Sequence, residues 1–228
     1  MAELMTELRK KNINVEKLYK LITPENVKYI DIETYTPLMF ALKKYGKTSD
    51  CDANVFLKIL KYDCNLTKVD DNSYTALMYA FGWYGSNPNC DASVLLKMLD
   101  NDCNVLWTTY DGDNACRYAF DVYAQNPNCD SRVLLKLLNA EYYPECTQYT
   151  MDPPDTYLKH YIKNPYFNYD VFEQLYIRSY PEVRKIYLKT YLELRNKYVI
   201  NPLRNWRGHA RLTLMIERTN YLKRKILN

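Results

Sequence analysis

Seven cysteines and two histidines are the residues whose types first invite chemistry. Cys51, Cys90 and Cys129 recur at one constant spacing, and Cys64 and Cys103 are separated by the same 39-residue interval. A zinc site needs ligands converging to about 2.3 Å from one metal, whereas packed helices hold equivalent positions of neighbouring units roughly 8–10 Å apart. There is no Cys-x-x-Cys pair, and His160 and His209 alone can supplement the thiols, so neither a metal nor a cofactor is expected. A Cys–His nucleophilic pair is not expected either, because neither histidine has an identifiable orienting partner. Gly82-Trp-Tyr-Gly85 is the nearest approach to a phosphate-cradling glycine motif, and it falls short of one. The expectation is a non-enzymatic chain. The odd cysteine number, spaced by a repeat, implies a reducing intracellular compartment; Lys223-Arg-Lys225 is too short to argue nuclear targeting, so a cytoplasmic location is expected over a nuclear one.

Aromatic side chains offer a different chemistry, that of recognition. The chain has 24 Tyr against only 5 Gly in 228 residues. Tyrosine supplies apolar area but keeps a hydroxyl that must meet water or a partner, so it suits half-buried faces. A hydrophobic fraction of 47% and a charged fraction of 25% exclude long disorder, since aromatic and branched residues recur throughout. The start, Met1 to Lys11, lacks the apolar run of a signal peptide, and no apolar stretch is long enough to span a membrane. The formal charge of +4 conceals a division. Residues 1–158 hold 16 Lys+Arg against 22 Asp+Glu, and residues 159–228 hold 15 against 5. An acidic first two-thirds thus precedes a basic last third.

The elements that must position these residues follow from an internal period. Tyr35-Thr-Pro-Leu-Met-Phe-Ala41 returns as Tyr74-Thr-Ala-Leu-Met-Tyr-Ala80 and more loosely as Asp113-Asn-Ala-Cys-Arg-Tyr-Ala119, with that 39-residue interval between successive alanines. Cys51-Asp-Ala-Asn-Val-Phe-Leu-Lys-Ile-Leu60 returns at Cys90 and Cys129 with the same interval, and Asp63-Cys-Asn-Leu66 returns as Asp102-Cys-Asn-Val105. Three landmarks sharing one period mark a repeat architecture. Each unit is expected to hold two short helices. The first is capped by Thr36, Thr75 or Asn114, with Pro37 at a first helical position; the second is capped by Asp52, Asp91 or Asp130. One unit cannot bury its own apolar face, so the units must stack, with Ala41, Ala80 and Ala119 permitting close approach and Leu57, Leu96 and Leu135 filling the layers between second helices. Extrapolating the period pairs Val133 with Phe172. Residues 1–34 form a partial N-terminal repeat, 35–151 three repeats, 152–177 a degenerate fourth, and 178–228 a basic helical cap.

This pattern resembles the ankyrin repeat, whose unit opens on Thr-Pro-Leu-His-x-Ala; here Met39 and Met78 stand where His is usual, and Arg117 in the third unit. The family unit is about 33 residues, so each copy here carries about six extra, placed between the two helices. The resemblance implies an all-α, ankyrin-like helical solenoid with a C-terminal helical cap. The Tyr- and Asn-rich, divergent copies are similar to arrays of large DNA viruses or AT-rich intracellular microbes, which would place the chain in a host cytoplasm. The resemblance further implies protein binding, as an adaptor or occluding inhibitor, through turn tips and the exposed side of the first helices on a concave face. Carried to this chain, those positions are Glu33, Asp71, Asn72 and Asp111 at the tips, and Phe40, Lys43, Lys44, Tyr79, Trp83, Tyr118 and Asp121 on the helices. Phe40, Tyr79 and Tyr118 share one repeat position, either as an exposed aromatic ladder or as rings packed between helices.

Beyond Asn164-Pro165 the period fades. Pro181 to Val199 reads as a helix with Val183, Ile186, Tyr187, Tyr191 and Leu194 on one face, and Arg211 to Leu227 as another. Arg204, Arg207, Arg211, Arg218, Lys223, Arg224 and Lys225 carry the positive charge. They suit a solvated face, an acidic partner or another copy of the chain, or an anionic surface such as nucleic acid. Self-association through the oppositely charged halves and nucleic-acid binding are therefore alternatives to an adaptor.

Overall fold

The computed structural model describes residues 3–62, 64–101, 103, 105, 107–139, 154–179 and 181–200. Among them every regular element is helical, and the β pairings are two single-residue bridges, Val69 with Thr75 and Thr108 with Asn114. The helices are α1 (Glu3–Leu8), α2 (Val15–Leu21), α3 (Pro24–Val27), α4 (Pro37–Lys44), α5 (Ala53–Ile59), α6 (Ala76–Tyr79), α7 (Ala92–Leu99), α8 (Ala115–Asp121), α9 (Ser131–Asn139), α10 (Pro154–Tyr161), α11 (Tyr169–Arg178) and α12 (Pro181–Arg195). Helices α4, α6, α8 and α10 begin at Pro37, Ala76, Ala115 and Pro154, each one repeat interval after the last.

Caps set these starts. Thr36 and Thr75 hydroxyls accept the N–H of Met39 and Met78 at 3.2 Å, and Asn114 accepts that of Arg117 at 2.9 Å. Asp52, Asp91 and Asp130 do the same for the second helices at 2.8–2.9 Å. Each such cap contributes about 1 kcal/mol to a helix too short to persist alone. Packing supplies the rest. Helix α1 touches α4, α4 touches α6, α6 touches α8 and α8 touches α10; in a second layer α2, α5, α7, α9 and α11 follow one another in the same way. The helices thus pack sequentially, as in a helical solenoid, with one continuous core between the layers. Ala41, Ala80 and Ala119 are fully buried between first helices.

Two expected packing positions shift. Leu57, Leu96 and Leu135 are half-buried, and the core is filled instead by the preceding Phe56, Leu95 and Leu134. Val133 corresponds to Val171, not Phe172, because one residue is lost between the start of α10 and its closing Tyr161 relative to α8 and Tyr123. At the C-terminal end α12 packs on α11, with Tyr191 stacked on Tyr176 at 4.3 Å and 5°. Ile186 departs from the expected buried face, being 73% exposed. The expected helix from Arg211 to Leu227 lies outside the described residues.

The loops between paired helices are built by two repeating side chains. Tyr45, Tyr84, Tyr123 and Tyr161 are buried, and each hydroxyl accepts a backbone N–H from further along its loop, those of Asp52, Asp91, Asp130 and Asn168, at 2.7–3.2 Å. Between units, the buried Asn87 amide donates to the Gly46 and Thr48 carbonyls at 2.8 and 2.9 Å, and Asn126 donates to Gly85 and Asn87, both at 2.7 Å. Asn164 continues the ladder by donating to Ala124 at 2.7 Å. The recurring Asn-Pro-Asn-Cys-Asp loops are thus held by their own hydrogen bonds.

The extended turns that join units carry a left-handed residue at one repeat position: Thr34 at φ 60°, Ser73 at φ 64° and Gly112 at φ 82°. Asp31 and Asp70 brace the first two, each accepting two backbone N–H groups at 2.8–3.0 Å. A side chain in this region costs roughly 1–2 kcal/mol, and glycine recovers that less its own greater chain entropy. Ser73→Gly is therefore expected to stabilise by roughly 0.5–1 kcal/mol, raising the melting temperature by about 2–4 °C at the upper end. A calorimetric scan checks this, and a lowered melting temperature contradicts it.

Candidate protein-binding face

The exposed side of the first-helix layer gathers most of the site residues expected from sequence. Helix α4 contributes Phe40, Lys43 and Lys44, with Lys47 in the tight turn that follows; Phe40 and Lys43 are half-buried and the other two lysines exposed. In the next unit α6 does not end in a tight turn. Its chain widens through Ala80–Tyr84, closed by the Gly85 N–H to the Ala80 carbonyl at 2.6 Å. Glycine makes this geometry possible at two points. A Cβ on Gly85 would meet the Phe81 carbonyl oxygen at 2.5 Å, and one on Gly82 would meet the Tyr118 ring at 2.9 Å. The wider turn sets Trp83, half-buried, within 4.9 Å of the Tyr79 ring, 5.7 Å of Tyr74 and 5.9 Å of Tyr118. With Tyr35, 5.8 Å from Phe40 and 6.0 Å from Tyr79, the rings form one strip across α4, α6 and α8.

The three aromatic residues of one repeat position do not share one environment. Tyr79 is 2% exposed; its hydroxyl donates to Asp70 at 2.5 Å and lies 3.3 Å from that of Tyr35. Burial, reinforced by Asp70, holds its hydroxyl protonated far above the ordinary range. Tyr79 belongs to the core. Phe40 and Tyr118 are half-buried, and Tyr118 donates to Asp113 at 3.0 Å.

Charge is unevenly spread along the strip. Lys43 lies 4.5 Å over Tyr35, Lys44 5.6 Å over Phe40 and Lys47 5.4 Å over Trp83. Such cation–ring contacts contribute about 0.5–1 kcal/mol each at exposed sites. At the far end Arg117 sits between Asp113 at 2.5 Å and Asp121 at 3.5 Å, and His160 is 3.6 Å from Asp121. At the tips Glu33, Asp71, Asn72 and Asp111 are all exposed, and Thr34 donates to Asp71 at 2.9 Å. Beside them stand two apolar side chains, Ile32 at 90% and Tyr110 at 86% exposure. Tyr110 is a site candidate that sequence reasoning missed. Its signal was available, because Ile32, Asp71 and Tyr110 keep the 39-residue interval.

Cys51, Cys90, Cys116 and Cys129 are free thiols, and burial pushes Cys51, Cys116 and Cys129 up to about 12. Among the described residues no group of His, Cys, Asp and Glu could hold a metal ion, and no helix is long and apolar enough to cross a membrane. Arg204, Arg207, Arg211, Arg218, Lys223, Arg224 and Lys225 lie outside the described residues. In comparisons with known proteins, no family model, no curated protein and no solved structure matches the chain.

Proposed function

We propose that this chain is a non-catalytic protein-binding module of ankyrin-like architecture, an adaptor or an occluding inhibitor, working in a reducing intracellular compartment. Support for the architecture comes from first helices that start at one constant interval and from a left-handed residue at the same place in each of three turns. The observation that carries the binding role is the strip of half-buried Phe40, Trp83 and Tyr118 laid across three units. Tryptophan, tyrosine and arginine in partly desolvated settings supply most interface energy, and widened helical turns recur at functional positions. The thiols of Cys90 and Cys116, free and buried, suit a reducing compartment.

The test is capture of partners from cell lysate by the wild type and by a Phe40→Ala/Trp83→Ala/Tyr118→Ala variant. Tyr79 is left intact because its loss would open the core. Retained partners should bind the variant at least about 30-fold more weakly, the loss of one or two anchors at about 2 kcal/mol each. An unchanged set of partners and affinities, from a variant that still melts cooperatively, removes this face from the proposal.

A further inference from the structure

Resting on the reading of the strip as a protein-binding face, we infer that it takes an extended peptide segment with segregated charge: acidic at one end, apolar in the middle and basic at the other. The α4 end presents Lys43, Lys44 and Lys47, none of which has an ion-pair partner among the described residues. They hold their charge over aromatic rings, where a carboxylate can reach it without displacing an existing acid. The α8 end is the opposite. Asp113 and Asp121 outnumber Arg117, whose guanidinium already lies between them, and the exposed tip Asp111 adds to them, whereas the matching tip acid at the α4 end, Glu33, already has Arg9 at 4.0 Å. In the central unit the positions matching Lys43 and Lys44 are Gly82 and Trp83, so the middle of the strip is uncharged and apolar. A segment with uniform charge would be attracted at one end and repelled at the other, whereas a segregated one complements both.

Geometry sets the spacing of those charges. Two helix spacings of about 8–10 Å separate α4 from α8, and an extended chain rises about 3.3 Å per residue. The acidic and basic clusters of the bound segment therefore stand about five or six residues apart, with an aromatic or aliphatic side chain between them over Trp83.

Selection from a displayed library of random peptides on the wild-type chain tests this, with the Phe40→Ala/Trp83→Ala/Tyr118→Ala variant for counter-selection. The expected winners carry an Asp/Glu cluster and a Lys/Arg cluster at that spacing around an apolar residue. A synthetic copy of such a peptide should lose about tenfold in affinity for Lys44→Glu/Lys47→Glu and similarly for Asp111→Lys/Asp121→Lys, with both losses shrinking at high salt. All four positions are exposed, and unchanged melting of each variant confirms that the fold persists. Ring-dependent winners without charge segregation, or affinities indifferent to both reversals, overturn the inference and leave the binding face standing. Failure to recover any peptide that depends on the three rings overturns both.

Discussion

Asn126→Ala should lower stability by about 2 kcal/mol, far more than its size implies, because it takes the donor from the buried Gly85 carbonyl and one of two donors from the buried Asn87 carbonyl. Asn126 is 4% exposed. Its amide donates to the Gly85 and Asn87 carbonyls at 2.7 Å, and its oxygen accepts the Asn128 N–H at 2.9 Å. Alanine removes all three bonds: Gly85 loses its side-chain donor, Asn87 keeps the Cys90 N–H at 2.9 Å, and the Asn128 N–H lies where water reaches it, so the loss sums to about 2 kcal/mol. For a chain of this length the melting temperature should fall by about 4–8 °C. Asn128→Ala is the matched control. Its amide donates to Pro88 at 2.7 Å, but at the exposed edge, where water replaces it at little cost. Because two of the lost bonds cross between stacked units, the damage should also weaken coupling along the array and flatten the urea transition. Equal urea midpoints for the two variants would show that the asparagine ladder is not what joins the units.

The repeat interval made the helices, their caps and the loop positions legible in the sequence, since one interval repeats one backbone geometry. It did not make exposure legible. Phe40, Tyr79 and Tyr118 occupy one repeat position, yet Tyr79 is sealed while the others are half-open. The cover over Tyr79 comes from Lys43 and from Trp83, and Trp83 is placed by the widened turn that Gly82 and Gly85 permit in one unit alone. The tyrosine and asparagine ladders escaped for a related reason. Tyr45 stands beside Gly46, and Asn87 and Asn126 beside prolines, so local turn chemistry accounts for them before any contact with the neighbouring unit comes to mind. The tips show the reverse case. There the interval alone pointed to Tyr110, while the shape of the third turn drew attention to Asp111 and Gly112.

Alkaline conditions should unfold this protein well before an ordinary chain of its size, with cooperative structure lost near pH 11. Burial pushes the Tyr45 hydroxyl up to about 12, and those of Tyr84, Tyr123 and Tyr161 still further. Unfolded tyrosine ionises near 10. Since the folded values are raised, these four groups leave stability untouched below pH about 10; above it the unfolded chain sheds protons that the folded chain retains. At pH 11 each ladder tyrosine then costs about 1.4 kcal/mol, and the four together about 5–6, comparable to the whole stability of many domains. Cys51, Cys116 and Cys129, raised to about 12, act in the same direction from pH about 8.5 upward. Urea titrations between neutral pH and pH 11, followed by far-ultraviolet circular dichroism, measure the slope. Tyr84→Phe separates this mechanism from general charge repulsion. At neutral pH it forfeits the acceptor for the Asp91 N–H, 2.8 Å away, and should be about 1 kcal/mol less stable than wild type. It also has one fewer hydroxyl to ionise on unfolding, so its deficit should close above pH 10 and reverse near pH 11. A deficit that stays constant across that range would mean the buried hydroxyls are not the source of the alkaline instability.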